Sequence, residues 1–305
     1  MKFLLHSTLV ATAAASLIAC GGGSSGGGNG NNDPEPSMTS ISIPVAARAN
    51  GTDINCDAQL SGLSSDATNG VVKAFAIYVH DLVLINADGS EMPVTLEEND
   101  WQSGGVALLD YQDKLDSCAS ANSKPTNNTV AGTIDGTLAQ VTGLRFTVGV
   151  PSNMNHQDTT AAASPLNRSD LFWSWQTGYK HLRMDVAPDG GVLKQDGSSS
   201  ATYNIHLGST GCVGDPQTGE TVNCSADNRP TITLDVSDIA NQQVVIDYAK
   251  LVENNSLLAD DGGAPGCMSG PTDPECQGIF DALGMGIGEN SDPNPGQTVF
   301  SIESL

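Results

Sequence analysis

The chain reads as an all-β protein, an antiparallel β-sandwich of Ig-like or related type with long disulfide-stapled loops. Three observations predict this. Short runs of alternating apolar and polar residues recur from about residue 39, divided by Gly, Asn, Asp and Pro. No helical periodicity is sustained over several turns. Beyond residue 20 there are six cysteines, Cys56, Cys118, Cys212, Cys224, Cys267 and Cys276, an even number that suits bridges in an oxidising compartment.

The N-terminus lies outside this pattern. Residues 1–19 read as a secretory signal peptide, with Lys2 ahead of a short apolar run too short to span a membrane stably. The ending Leu17-Ile-Ala-Cys20 resembles the lipobox of bacterial lipoproteins, which makes Cys20 the lipidated first residue of the mature chain. Gly21, where an aspartate would retain the protein inside, implies an outer-membrane lipoprotein of the bacterial envelope, facing the periplasm or the cell surface. Residues 20–37 form the lipidated start and a Gly/Ser/Asn-rich tether, in which Gly21 to Pro36 carry no apolar side chain. Residues 38–305 then read as one β domain without repeats.

Its strands are expected in order at Thr39 to Val45, Val71 to Ile85 with a bend near Asp81, Val106 to Leu109 and Leu144 to Val150. Asp88-Gly89 marks a hairpin turn. Leu144, Phe146, Val148 and Val150 share one face, and Arg145 and Thr147 the other. In Leu171 to Val186 the first half reads as a strand with Trp173 and Trp175 on one face and Ser174 and Gln176 on the other. Gly178 interrupts it, and Lys180 to Val186 follows with Leu182 and Met184 on one face. In Tyr203 to Leu207, His206 lies opposite Tyr203, Ile205 and Leu207. Thr231 to Val236 and Val244 to Tyr248 complete the set. From Asn254 the chain is turn-rich, with one short helix at Ile279 to Gly284.

A hydrophobic fraction of 38% allows a packed core, whereas a net charge of −23 with 12 basic residues disfavours nucleic acid and anionic lipid as partners. Six cysteines allow 15 pairings. Proximity favours Cys212 with Cys224 and Cys267 with Cys276, which leaves Cys56 with Cys118. No Cys-x-x-Cys pair supports a thiolate metal site instead.

Few residues are equipped for chemistry. The histidines beyond the leader are His80, His156, His181 and His206. Imidazole is a common metal ligand, and with the nearby thioethers Met154, Met184 and Met268 it suits Cu(I). The sequence lacks His-Glu-x-x-His, Cys-x-x-Cys-His and Gly-x-Ser-x-Gly, and no nucleophile has a base beside it in the local sequence. Asp260-Asp261, Asp273-Pro-Glu275 and Glu289-Asn-Ser-Asp292 offer oxygen ligands for Ca²⁺, but none has EF-hand spacing and they read as solvated acidic loops. The tryptophans alone are equally compatible with a core aromatic pair.

Several stretches, in order, resemble one family: Phe75-Ala-Ile-Tyr-Val-His-Asp-Leu-Val-Leu-Ile85, Trp101-Gln102, Val106 to Asp110, Val148-Gly-Val-Pro151 with Asn155-His156, and Ser164-Pro-Leu-Asn167. Phe172-Trp-Ser-Trp-Gln-Thr-Gly-Tyr-Lys180, His206-Leu-Gly-Ser-Thr-Gly-Cys212, Asn228-Arg229 and Cys267-Met-Ser269 complete the match. The resemblance is to the MbnP-like copper-binding proteins, also called metallo-mystery pair system four-Cys motif proteins. It implies a β-rich extracytoplasmic protein that binds copper, as Cu(I) or Cu(II), and serves copper homeostasis. It also implies a MauG-like di-haem peroxidase partner that oxidises a tryptophan to kynurenine, so that this protein is the partner's substrate and not itself an enzyme. Carried onto this chain, His156 and His206 become the ligands, Met268 a third donor, and Trp173 and Trp175 the residues open to modification. His80 and His181 depart from the family's pattern. Two other readings compete: a Ca²⁺-binding or structural surface lipoprotein of Ig-like architecture, and an enzyme that uses copper or the matured tryptophan as cofactor.

Overall fold

The structure, a computed structural model, describes residues 38–118, 124–174, 176–288 and 296–305. The leader, Cys20, the tether, Trp175 and the Glu289–Asp292 loop lie outside the described residues.

The principal strands are β1 (Met38–Ala49), β2 (Thr68–Asn86), β3 (Val106–Asp110), β4 (Thr129–Asp135), β5 (Val141–Val148), β6 (Gly178–Pro188), β7 (Tyr203–Gly208), β8 (Thr231–Asp235), β9 (Gln242–Asp247) and β10 (Phe300–Ser304). One sheet runs β10–β9–β1–β4 and ends on Thr95–Leu96. The other runs β8–β5–β2–β6–β7 and ends on Gly266–Cys267, with β3 paired to β2. Among the described residues pairing is antiparallel apart from three ladders. β1 runs parallel to β9, β7 to Gly266–Cys267, and Val192–Lys194 to Ala259–Asp260.

The main core fills the space between the sheets. Ile41, Ile43, Val45 and Ala47 of β1 meet the inward positions Phe75, Ile77 and Val79 of β2, Leu144, Phe146 and Val148 of β5, and Leu182, Met184 and Val186 of β6. In β5, Arg145 and Thr147 are only half-buried, which is the alternation of a strand with one wet face. β2 departs from that pattern. Ala76 and Tyr78 on its other face are also buried, in a second cluster with Val106, Leu108, Val150, Leu166, Leu171 and Tyr179. The segment from Val150 to Leu171 covers this face, and the Tyr78 hydroxyl donates to the Pro165 carbonyl at 2.9 Å.

The expected bend at Asp81 is a bulge: φ there is 52°, and the register with β5 shifts between Arg145 and Thr147. The Asp88-Gly89 turn closes with Gly89 at φ 82° and returns the chain as Glu91–Pro93 alongside β2. The C-terminal helix starts earlier than expected, at Cys276, and ends at Ala282, with Gly284 left-handed just beyond it.

One expectation is corrected. The strand through the tryptophans stops at Ser174, because Phe172–Ser174 folds back on the start of β6, pairing Phe172 with Tyr179 and Ser174 with Gly178. Gln176 and Thr177 are turn residues and Gly178 has φ 83°. The alternation expected to run on through Gln176 therefore ends in this turn.

The cysteines pair as Cys56–Cys118, Cys212–Cys224 and Cys267–Cys276. The first closes 62 residues, for which loop-closure entropy gives about 4 kcal/mol. Among the described residues no helix is long and apolar enough to cross a membrane.

Candidate metal centre

The centre lies where β2 changes partners. Its residues 70–77 pair with β6, and residues from Val79 onward pair with β5. At the change, the Gly149 amide donates to the Tyr78 carbonyl at 2.7 Å. Gly149 has φ 123°, and a Cβ there would stand 2.7 Å from the His181 ring, so the close approach requires glycine. The chain that leaves this junction carries His156, then the Trp173 hairpin.

Two of the four histidines are engaged in the frame. His80 is buried with Nδ1 2.9 Å from the Gly149 carbonyl, which makes that nitrogen the donor. His181 is fully buried; its Nδ1 accepts the Val150 amide at 3.2 Å, so Nε2–H is left to donate towards the Asp227 carbonyl at 3.2 Å and the Ser209 hydroxyl at 3.3 Å. Burial pushes the His181 imidazolium down to about 3, with the Arg229 charge adding to the effect. Burial also lowers His80.

His206 and His156 are half-buried. The alternation that buries Tyr203, Ile205 and Leu207 turns His206 to the other face of β7. There its Nε2 lies 2.7 Å from Oδ1 of Asp185 on the neighbouring strand. The other oxygen of Asp185 accepts from Arg183 Nε at 2.8 Å and NH2 at 2.7 Å. Burial works to raise the Asp185 carboxyl, but the His206 bond and the Arg183 charge outweigh it and hold it below the usual carboxylate range. Burial in turn lowers His206, against the pull of Asp185. A neutral imidazole that donates from Nε2 keeps its lone pair on Nδ1.

The indole of Trp173 stands beside His206, ring centroids 6.4 Å apart. Trp173 also lies against Gly208, where a Cβ would collide with its Cζ3. The base of the Trp173 hairpin is held by charge. Asp110, fully buried, pairs with Lys124 and, at 2.8 Å, with Arg168, and Arg168 also grips Asp170. Lys180 Nζ and Arg183 NH1 donate to the Asp170 carbonyl at 3.1 and 3.3 Å.

The Met268 segment is laced to the same strand. Gly266–Cys267 pairs with Asn204 and Ile205, and the Ser269 hydroxyl donates to the His206 carbonyl and accepts the Gly208 amide, both at 2.9 Å. Met268 itself is half-buried. His156 approaches from the far side of Ser209. The buried Asn155 accepts the Tyr179 amide at 3.0 Å and donates to Ser209 Oγ at 3.3 Å, and His156 Nε2 lies 3.4 Å from Asn155 Nδ2.

Among the described residues, the metal-type donors that group in threes are His156, Cys212 and Cys224, within 4.8 Å of one another. His156 Nε2 is 3.7 Å from Cys224 Sγ. Both sulfurs are spent in a disulfide, so this group offers one imidazole and no thiolate. The structure thus sets His206, Trp173 and the backbone of the Met268 segment at the end of β7, while His156 lies beside the Cys212–Cys224 disulfide on a loop tied to Ser209 through Asn155. Asp185 was missed from sequence, and Asn155 and Ser209, though inside the quoted motifs, were given no role there. Asp185 meets His206 only through the β6–β7 register, which no local spacing encodes.

The sequence model of the MbnP family matches residues 38–269. The fold is similar to the solved structure of MbnP from Methylosinus trichosporium, with a TM-score of 0.80 and 34% identity over 88% of this chain and 99% of that one. No curated protein matches the chain. A family match over more than half the sequence and a structural relative at this identity, covered almost end to end, place the chain in the MbnP family.

Proposed function

We propose that this protein is an extracytoplasmic copper-binding protein, anchored by lipid at Cys20, in which His206 and His156 supply imidazole and Met268 a thioether. The observation that carries the reading is the bond from His206 to Asp185 at 2.7 Å. A carboxylate that accepts from one ring nitrogen fixes the tautomer and makes the other nitrogen more basic, as the partners of metal-bound histidines do. The donor set fits the metal chemically: soft thioether and borderline imidazole suit Cu(I), and every cysteine beyond Cys20 is in a disulfide. Copper would supply a redox-active, soft metal ion; the protein's part is to hold it, and its role is copper homeostasis rather than turnover.

The indole beside His206 gives the tryptophans a place in this scheme. Trp173 or Trp175 is oxidised to kynurenine by a MauG-like di-haem peroxidase, which makes this chain the substrate of its partner. Intact mass of protein isolated from its native host, with and without that partner's gene, tests maturation. A Cu(I) titration in competition with a chelator tests the site. His206→Ala and His156→Ala are each expected to weaken binding by at least about tenfold, the scale on which even supporting residues act. If both variants fold and keep wild-type affinity, copper is bound elsewhere.

A further inference from the structure

We propose that Asp260 and Glu275, with the side-chain carbonyl of Asn255, form a second site, one for a hard divalent cation, and that its ion is Ca²⁺.

Asp260 closes the short strand Ala259–Asp260, opposite Lys194, and Glu275 stands at the start of the Cys276–Ala282 helix. Asp260 is only 2% exposed and Glu275 7%. Both oxygens of Asp260, Oε2 of Glu275 and Oδ1 of Asn255 are buried and meet no partner at good hydrogen-bond geometry, although the Gly266 amide approaches Asp260 and the Asp273 carboxyl lies beside Glu275. These groups share one neighbourhood. Asn255 Nδ2 donates to the Glu275 carbonyl at 2.7 Å and to the Tyr203 hydroxyl at 3.2 Å, and that hydroxyl feels the charges of both Glu275 and Asp260. Lys194 is near enough to act on Asp260 but makes no ion pair with it.

A buried carboxylate without a partner is strongly disfavoured in its charged form, so such groups either hold a proton or hold a cation. Burial pushes both carboxyls up, and for Asp260 the charge of Glu275 adds to it. The surroundings favour the cation. Asp273 is occupied in shaping the loop, accepting the Met268 amide at 2.9 Å and the Glu275 amide at 3.3 Å. Glu275 Oε1 takes the Asp261 amide, which leaves Oε2 directed elsewhere. Gly278 on the helix leaves room for Asn255 Oδ1, since a Cβ there would stand 2.5 Å from it. The result is two carboxylates and a neutral amide carbonyl, with no nitrogen or sulfur donor.

An all-oxygen set built on loops suits Ca²⁺, which takes several oxygen ligands in flexible geometry and completes its shell with backbone carbonyls and water. Mg²⁺ demands a tighter octahedron. The site shares no donor with the proposed copper ligands. Glu275 also lies beyond residues 38–269, where the family match ends.

The test uses the full mature chain, stripped with a chelator and dialysed against Ca²⁺. One Ca²⁺ per chain is expected, with a Kd on the order of 10⁻⁴–10⁻³ M, the range of extracellular modules. Added Ca²⁺ should raise the melting temperature, and Tb³⁺ in its place should luminesce when Tyr203 is excited. Asp260→Asn and Glu275→Gln, which keep shape and remove charge, should each weaken Ca²⁺ binding about tenfold or more while circular dichroism stays that of the wild type. Absence of bound Ca²⁺ and of any thermal shift in the wild type overturns the site in favour of a protonated carboxyl pair. Unchanged affinity in both variants overturns the residue assignment, and equal stabilisation by Mg²⁺ overturns the choice of ion. Should one variant fail to fold, the other and the Tb³⁺ signal decide.

Discussion

Asp185 holds His206 through one carboxylate oxygen, at 2.7 Å, while its other oxygen is gripped twice by Arg183. Arg183 is the residue that β7 sets directly opposite His206, and Asp185 lies two places further along β6 on the same face. The carboxylate is thus fixed by Arg183, and the imidazole is oriented by a group that is itself held in place.

Asp185→Asn keeps the side-chain volume and removes the charge that selects the Nε2–H tautomer of His206. Cu(I) affinity is expected to fall about 10- to 100-fold. A merely structural residue would leave the tautomer alone, so the deciding readout is the ¹⁵N shifts of the His206 ring in the metal-free protein. They should report Nε2–H in the wild type and a mixture in the variant. Asp185→Glu should restore part of the affinity.

Acid is expected to destabilise the fold in a window set by buried imidazoles. His181 is pushed down to about 3 when folded, from an ordinary value near 6.5, so the unfolded chain binds the extra proton between those limits. Its contribution is complete above about pH 6.5 and is lost as pH falls towards 3, by at most about 1.4 kcal/mol per pH unit. His80, lowered in the same direction, adds to the loss. The carboxylates Asp170, held at about 2, and Asp185 act at lower pH, as acid protonates them. Urea denaturation at pH 7.5, 6.5 and 5.5 measures the slope, and His181→Gln should flatten it even while lowering stability overall. An unchanged slope in that variant would assign the window to other groups.

The parts of this architecture that were legible in the sequence are those governed by local alternation. The existence of β5, β7 and β9 follows from the spacing of their apolar residues, although their bounds shift by up to three residues, and the Asp88-Gly89 turn follows from its own chemistry. What escaped depends on distant partners. Phe75 to Val79 reads as one apolar run because the Val150–Leu171 segment covers its second face, and nothing in β2 itself announces that cover. The Trp173 strand ends at Ser174 because it pairs back on Tyr179, a tertiary event that alternation does not see. Resemblance singled out His206 as a candidate ligand, whereas its contact with Asp185 needed the strand register.

Gly208→Ala should disturb the Trp173 side of the centre specifically. The added methyl would meet Trp173 Cζ3 and stand 2.9 Å from the Tyr179 carbonyl, so the indole or the strand must give way. Overpacking of this kind costs about 1–3 kcal/mol. Near-ultraviolet circular dichroism should change along with stability. A spectrum identical to the wild type would mean that Trp173 does not rest on this strand in solution.

The Asp110 network should dominate the electrostatic contribution to stability. Asp110 is fully buried and pairs with Lys124 and Arg168, whose side chains are 18% and 20% exposed. Removing the shared carboxylate strands two partly desolvated cations, so Asp110→Ala should cost about 3–5 kcal/mol, as breaking a buried pair does. The Arg145–Glu91 pair has bidentate geometry, at 2.5 and 2.7 Å, but its side chains are 32% and 46% exposed. Water and salt screen it, and Glu91→Ala should cost far less than Asp110→Ala. Urea denaturation of the two variants at low and high salt separates the cases. The Glu91 effect should shrink with salt and the Asp110 effect should persist. Because Arg168 also holds Asp170 at the foot of the Trp173 hairpin, Asp110→Ala should further alter tryptophan fluorescence, which Glu91→Ala should leave unchanged. Equal costs in the two variants would mean that burial does not set the strength of these pairs.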